Sequence, residues 1–370
     1  MPHSKPAPIQ RIGILTGGGD CPGLNAVIRV VTRAAIHKLG IEVLGIEDGF
    51  LGLIRNRIRH LRDEDVSDIL TRGGTILGTS NTADPTRFKT GTGPDGKPIF
   101  ENVIDRCIEH VRENRLDLLV CVGGDGTMSG ASDLIKAGIP CVGVPKTIDN
   151  DLMHTEITFG FTTAVQTATE CLDRIHTTGS SHHRVMLVEL MGRNAGWLTL
   201  HAGLASGADV ILLPEIPFNL DVVCDYCLNR NRRGKRFTLI AVAEGAAPKD
   251  GTQVVERLVE GSRDPVRLGG IAQLLSKQIT EKTGLETRAT ILGHVQRGGT
   301  PVAFDRVLAT EFGHRAISMV ATRDWNQMVV MHGSETDMVP IEKVAHQQRK
   351  IPLEHPLIGM ARALNVCLGD

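Results

Sequence analysis

Short apolar runs recur along the chain and alternate with longer stretches whose apolar residues return every three or four positions. The runs RIGILT, EVLGI, DLLVCVGG, PCVGVP, RVMLVELMG, DVILLP, FTLIAVAEG, ATILGHVQ and MVVMHG predict strands. They lack a clean two-residue alternation, as expected of strands covered on both faces of a parallel sheet. Between them, NVIDRCIEHVREN, TTAVQTATECLDRIH, IAQLLSKQITEKTG and FDRVLATEFGHRAI predict amphipathic helices. Strands alternating with helices of this length predict an α/β doubly wound architecture. The stretch GTGPDGKPIF reads as a turn or hairpin. NRNRRGKR reads as a solvated loop, with an anionic contact as its alternative. No repeat occurs at solenoid periods.

Length changes the picture first. The chain has 370 residues, and single cores stop growing at roughly 250–300 residues, so two domains are expected. A formal net charge of -1 gives no general attraction to nucleic acid or an acidic membrane. The leading MPHSKPAPIQR has no apolar core of a secretory signal. No apolar run approaches the roughly 20 residues of a membrane span. A cytoplasmic location is therefore expected. Cys21, Cys107, Cys121, Cys141 and Cys171 lie in apolar or glycine-rich segments and read as buried free thiols of a reducing compartment. Cys224 and Cys227 form one CxxC with no second pair or matching histidines, which does not favour a metal site.

The polar residues gather where strands end. In open α/β sheets ligands bind outside the carboxyl ends of the strands, and five such ends carry GGGDCPGLN, GGDGTMSG, PKTIDND, MGRNAG and GHVQRGG. Gly17, Gly18 and Gly19 precede a helix start, an arrangement that offers backbone N–H groups and a partial positive charge to an anion. Gly123, Gly124, Asp125, Gly126 and Thr127 repeat the design. Asp125 would repel phosphate unless a cation lay between them, so Mg²⁺ shared with a polyphosphate is inferred. Neither loop has the GK[ST] of a Walker A motif, and Ser129 stands where a dinucleotide fingerprint needs its third glycine. Arg184 and Arg193 flank one predicted strand, while Arg288 and Arg297 bracket another with His294 between, so the set reads as an anion pocket. Asp149 or Asp151 is placed to accept a hydroxyl proton, and Lys146 to neutralise a transferring phosphoryl group. An Asx-type turn is the bland alternative for IDND.

With these residues the chain resembles the 6-phosphofructokinases, over GILTGGGDCPGLNAVIR, GGTILGTSN, GGDGTMSGA, PKTIDND, MGRNAGWL, AEGA and LGHVQRGGTPVAFDR. The resemblance implies phosphorylation of fructose 6-phosphate at its 1-hydroxyl, with Asp149 as general base and Thr147 beside it. It implies Mg²⁺ on Asp125 and donor phosphates on Gly18, Gly19 and the Gly124–Gly126 backbone. Arg193 would stabilise the transferring group. Met191, Gly192 and Glu244 would grip the sugar, and His294 and Arg297 its 6-phosphate. Arg184 and Arg288 would serve a neighbouring subunit, so a homodimer or homotetramer is expected. Two Rossmann-like domains are implied. One covers 1–160 with a returning segment near 296–345 and holds donor and Mg²⁺. The other covers 161–295 with the C-terminal segment near 346–370 and holds the sugar phosphate, the active site lying in the cleft between them.

One position departs from the family. Asn81 stands where many members have a phosphate-neutralising arginine, and Arg87, Lys89 or Lys146 is available to compensate. The family divides by donor. Gly126 matches ATP users, since pyrophosphate users place an aspartate there, in the space of the α-phosphate. Lys146 matches pyrophosphate users. An added aspartate excludes ATP by space and charge, whereas a lysine excludes no anionic donor, so ATP is the expected donor and pyrophosphate the alternative. NAD and lipid kinases share GGDGT but lack PKTIDND and MGRNAG. A phosphate sensor with a dead site would lack Asp125 or Asp149. Arg29 and Arg33, four residues apart on one predicted helix face, read equally as a salt-bridged face or an effector contact.

Overall fold

The structure, a computed structural model, describes residues 8–259 and 266–370. Residues 1–7 of the leading stretch lie outside the described residues. Among the described residues the strands are β1 (Arg11–Thr16), β2 (Glu42–Ile46), β3 (Ile58–Leu61), β4 (Phe88–Thr92), β5 (Pro98–Glu101), β6 (Leu118–Gly123), β7 (Cys141–Pro145), β8 (Val185–Leu190), β9 (Val210–Leu212), β10 (Thr238–Ala243), β11 (Val255–Leu258), β12 (Val266–Leu268), β13 (Thr287–Ile291), β14 (Gln327–His332) and β15 (Glu335–Pro340). The α-helices are α1 (Leu24–Ala34), α2 (Phe50–Ile54), α3 (Ile104–Glu113), α4 (Asp125–Lys136), α5 (Phe161–His182), α6 (Trp197–Ala205), α7 (Leu220–Arg232), α8 (Ile271–Thr283), α9 (Ala303–Thr322) and α10 (Pro356–Ala363). No helix among the described residues is long and apolar enough to cross a membrane.

Two sheets organise the α/β fold. The larger runs β15-β14-β7-β6-β1-β2-β3. Its five central strands are parallel, and β3 and β15 close the edges antiparallel. The smaller runs β13-β8-β10-β9 and is wholly parallel. The central strands carry the longest apolar runs because helices cover both faces. Ile12, Ile14, Val120 and Val122 on one face share a cluster with Val188, Leu190 and Leu239 of the smaller sheet. Leu15, Leu119 and Cys121 turn to a second cluster, and Leu187, Ile240 and Val242 to a third. One apolar layer thus continues from sheet to sheet, so the loops above them sit on a shared base. Gly313 of α9 sits where a Cβ would lie 2.4 Å from Val30, so α9 packs closely on α1. At the C-terminus Cys367 bridges to Val210 beside β9.

The hairpin expected at GTGPDGKPIF forms as β4 and β5. Three expectations are corrected. The run ATILGHVQ is a strand only to Ile291, because Gly293 takes φ 52 and Gly293–Gln296 turns as a 3₁₀ helix. The first four residues of NRNRRGKR are the last turn of α7, where Arg230 pairs with Asp209 at 2.8 Å, and only the rest is loop. Cys171 is half-buried, while Cys21, Cys107, Cys121 and Cys141 are buried as expected. Cys224 and Cys227 are also buried, with their thiols raised by burial, Cys227 to about 12. The strands β3, β11, β12 and β15 were not foreseen. Their sequences IRHL, VERL, VRL and ETDMVP mix polar residues through short edge segments.

Candidate active site

The five polar loops all leave the carboxyl ends of parallel strands, following β1, β6, β7, β8 and β13. Hydrogen bonds knit them. Gly17 N–H donates to Val122 O at 2.9 Å, joining the first glycine loop to the end of β6, and Lys146 N–H donates to Gly123 O at 3.0 Å. Thr127 is buried between the two glycine loops. A Cβ on Gly17 would lie 2.6 Å from its Oγ1, and one on Gly123 only 2.1 Å, so this packing requires glycine at both positions.

Open N–H groups were expected at all three of Gly17, Gly18 and Gly19, and that is corrected. Gly17 N–H is taken by Val122, and Gly18 N–H by Ser80 O at 3.2 Å, with Thr79 Oγ1 donating to Gly18 O at 2.6 Å. Gly18, at φ 76, is a turn residue. Gly19 N–H makes no such bond among the described residues. Gly124 caps α4, so the N–H of Gly126, in the first turn of that helix, points out along the helix axis. Gly126 is exposed, and a Cβ there would meet nothing within 4 Å. Ser129 donates to Asp125 Oδ1 at 3.3 Å and accepts from His346 N–H at 3.0 Å, fixing the carboxylate from behind.

PKTIDND lies beside this edge. Lys146 is buried, with its Nζ donating to Gly19 O, and burial holds its pKa below the usual lysine value. Thr147 Oγ1 accepts from Asp149 N–H at 3.0 Å. Asp149 Oδ1 is buried with no hydrogen-bond partner among the described residues. Burial raises the Asp149 carboxyl, while the Arg297 and Lys146 charges pull it back down. Asp151 is pushed up to about 7 by burial and the neighbouring Asp149 charge. The residue between them, Asn150, is left-handed at φ 51, donates to Glu156 O at 3.1 Å and accepts from Thr158 N–H at 3.0 Å. The motif is therefore both a tied turn and a presenter of carboxylates. The two readings of IDND do not compete.

On the second sheet, Met191, Gly192 and Arg193 follow β8, and Glu244 follows β10. Burial beside Asp149 and Glu189 pushes Glu244 up to about 7. Arg193 is lowered by burial and by Arg267. His294 is exposed, while Arg297 donates to Asp20 O at 3.2 Å and lies against Gly19, where a Cβ would sit 2.8 Å from its Nη1. Two residues that the sequence reading gave no role, Gln296 within GHVQRGG and Glu189 within β8, hold these loops. Buried Gln296 accepts from Met191 N–H at 3.3 Å, and buried Glu189 accepts from Gly270 and Ala272 N–H at 3.0 Å, capping α8.

A single arginine pocket does not form within one chain. Arg184 and Arg288 stand at the starting ends of β8 and β13, where both contact Glu286, at 2.8 and 2.6 Å. The six residues of β8 put roughly 20 Å of strand between them and the polar loops at its carboxyl end. Asn81 is exposed beside Ser80, and Arg87 is exposed and stacked 4.6 Å over Phe100. Of the three compensating cations considered, Lys146 is the one in contact with the glycine loop. Arg33 is engaged in a two-pronged pair with Asp63 at 2.9 and 2.8 Å, which also holds His37, so the salt-bridged reading describes Arg33.

Residues 11–320 match the family model described as phosphofructokinase. The chain is 46% identical over 367 residues to ATP-dependent 6-phosphofructokinase 2 of Clostridium perfringens, covering 98% of this chain and 99% of that one. It is 47% identical over 349 residues to a pyrophosphate–fructose 6-phosphate 1-phosphotransferase of Amycolatopsis mediterranei, covering 93% and 97%. Its structure is similar to that of a Pichia pastoris phosphofructokinase in the T-state, with a TM-score of 0.77 at 30% identity, over 98% of this chain and 38% of that longer one.

Proposed function

This chain belongs to the phosphofructokinase family, and we propose that it transfers a phosphoryl group from ATP to the 1-hydroxyl of fructose 6-phosphate. Asp149 accepts the hydroxyl proton. The observation that carries this is its buried, unpartnered Oδ1 at the meeting of the donor and sugar loops. A carboxyl raised by burial is a better base, and the Arg297 and Lys146 charges oppose that rise. Phosphoryl transfer asks the protein mainly for positioning and charge neutralisation. Gly19 and the α4 N-terminus receive the donor phosphates. Arg193 stabilises the transferring group, Met191, Gly192 and Glu244 hold the sugar, and His294 and Arg297 its 6-phosphate.

Asp125, oriented by Ser129 at the mouth of the donor loop, fits a Mg²⁺ held by one carboxylate and substrate phosphates. Bound there, Mg²⁺ would neutralise charge on the donor. ATP is preferred to pyrophosphate because the space beyond Gly126 is open, leaving room for an α-phosphate. The buried Lys146 supports pyrophosphate as the second reading. Arg184 and Arg288, turned away from their own cleft, serve a neighbouring copy, which makes the active form a homo-oligomer. The same reading assigns 1–160 with about 296–345 to the donor domain, supported by β14 in the larger sheet. It assigns 161–295 with about 346–370 to the sugar domain, supported by Cys367 beside β9.

The test is incubation of the purified chain with fructose 6-phosphate, Mg²⁺ and ATP, with the product identified by position of phosphorylation. Fructose 1,6-bisphosphate is expected. Phosphate on any other hydroxyl, or none transferred, overturns the reading.

A further inference from the structure

A polar stretch near the C-terminus, AHQQRKI, carries no motif, yet it touches three of the site's loops. His346 N–H donates to Ser129 Oγ, which holds Asp125. Arg349 N–H donates to Asp151 O at 2.7 Å. Ile351 N–H donates to Glu215, whose carboxylate also accepts from the N–H of Gly196, the last residue of MGRNAG, at 3.0 Å.

Arg349 stands at the centre of this strap. Its Nε and Nη2 donate to Asn150 O at 3.2 and 3.0 Å, and Nη2 also reaches Glu156 O at 3.0 Å. These carbonyls belong to the turn that presents Asp149 and Asp151. The guanidinium lies 4.4 Å over the ring of Trp197, the first residue of α6, and Trp197 Nε1 donates back to Arg349 O at 3.0 Å. Trp197 is buried. A planar cation stacked on an anchored indole, with its fork on two carbonyls, has little freedom of position. The turn cannot drift from α6 without breaking these contacts.

We propose that Arg349 is a positioning residue, holding the Asp149–Asp151 turn against the start of α6 so that the base faces the sugar bound on the second sheet. It touches no substrate. This rests on the functional reading above, in which that turn supplies the base.

Misplacement of a reacting group by about 1 Å can cost on the order of a hundredfold in rate. For Arg349→Met, kcat should fall by about 10- to 100-fold, with KM for either substrate changing much less. Arg349→Lys keeps the stem and charge but not the fork, so its kcat should also fall. The pH dependence separates the two. Arg349 faces Asp151 and Glu156, with His201 and His355 on the Trp197 side. Asp151 is faced by Asp149, Asp125 and the Thr147 hydroxyl, and Asp149 by Arg297, Lys146 and Glu244. Removing the cation beside Asp151 raises that carboxyl further. The Asp151 titration, followed by carboxyl NMR, should therefore move to higher pH in Arg349→Met and stay in place in Arg349→Lys. Lys350→Ala, an exposed neighbour, serves as the control and should match wild type.

Hydrogen–deuterium exchange gives a readout free of activity. Residues 147–158 should exchange faster in both Arg349 variants, with the 17–23 loop unchanged. The proposal is overturned by kcat within twofold of wild type in folded Arg349→Met. It is equally overturned by losses that only track the folded fraction, with no selective exchange at 147–158. Should Arg349→Met fail to fold, Arg349→Lys decides by the same criteria. A wild-type chain without turnover would instead overturn the functional reading, while the exchange data would still decide whether Arg349 holds the turn.

Discussion

Replacing Gly126 by aspartate isolates donor choice from folding. The side chain would enter open space, since nothing lies within 4 Å of the Cβ position. Position 126 is in the first turn of α4, where an added carboxylate is favourable by about 0.3–1 kcal/mol. Stability should therefore hold or rise slightly. Against ATP the effect is opposite. Two unit charges 4 Å apart repel by about 1 kcal/mol in water and about 4 kcal/mol near a protein surface. That corresponds to roughly 5- to 700-fold in kcat/KM, before any overlap with the α-phosphate adds to it. Pyrophosphate has no group in that space. The assay is kcat/KM for each donor at saturating fructose 6-phosphate, with the thermal midpoint measured on the same preparation. The expected result is at least a tenfold loss with ATP, a change within threefold with pyrophosphate, and an unchanged or higher Tm. Equal losses with both donors would refute the steric and electrostatic argument. So would an ATP loss accompanied by a lower Tm.

Asp149→Asn should lower kcat by about 10²- to 10⁴-fold, the usual contribution of a general base, with KM for ATP nearly unchanged. A loss under tenfold would remove Asp149 from that role. In wild type the acid limb of kcat should lie above the ordinary carboxylate range, because burial raises Asp149, and a limb near pH 4 would contradict this. Glu244→Gln should raise Tm at pH 8 and leave it nearly unchanged at pH 5. Glu244 is raised from the ordinary 4.5 to about 7, so the cost of its burial builds up between those two pH values, is complete above the upper one and fades as pH falls toward the lower one. The same variant should bind the sugar more weakly, so higher Tm and higher KM are expected together.

Much of this was legible in the sequence because it rests on backbone rules. Short, β-branched runs such as DLLVCVGG read as buried strands, and glycines at their ends mark where the chain turns tightly. The Thr127 contact with Gly17 and Gly123 is the physical content of that pattern. What escaped depends on distant partners. Arg184 and Arg193 flank one strand in sequence, but six residues of extended chain carry them to opposite ends of the sheet. Gly17 and Gly18 were read as anion donors, yet Val122 and Ser80 claim their N–H groups. GHVQ continues an apolar run and still turns, because Gly293 is left-handed. Arg349, Gln296 and Glu189 are single polar residues whose roles come from what packs on them, and no spacing announces that.

The most direct measurement is wild-type turnover of fructose 6-phosphate with Mg²⁺, once with ATP and once with pyrophosphate, following fructose 1,6-bisphosphate. Turnover with ATP and little or none with pyrophosphate is predicted, with Gly126 setting the choice and Lys146 tolerating it. Turnover with pyrophosphate in preference to ATP would contradict the account and give Lys146 the deciding role.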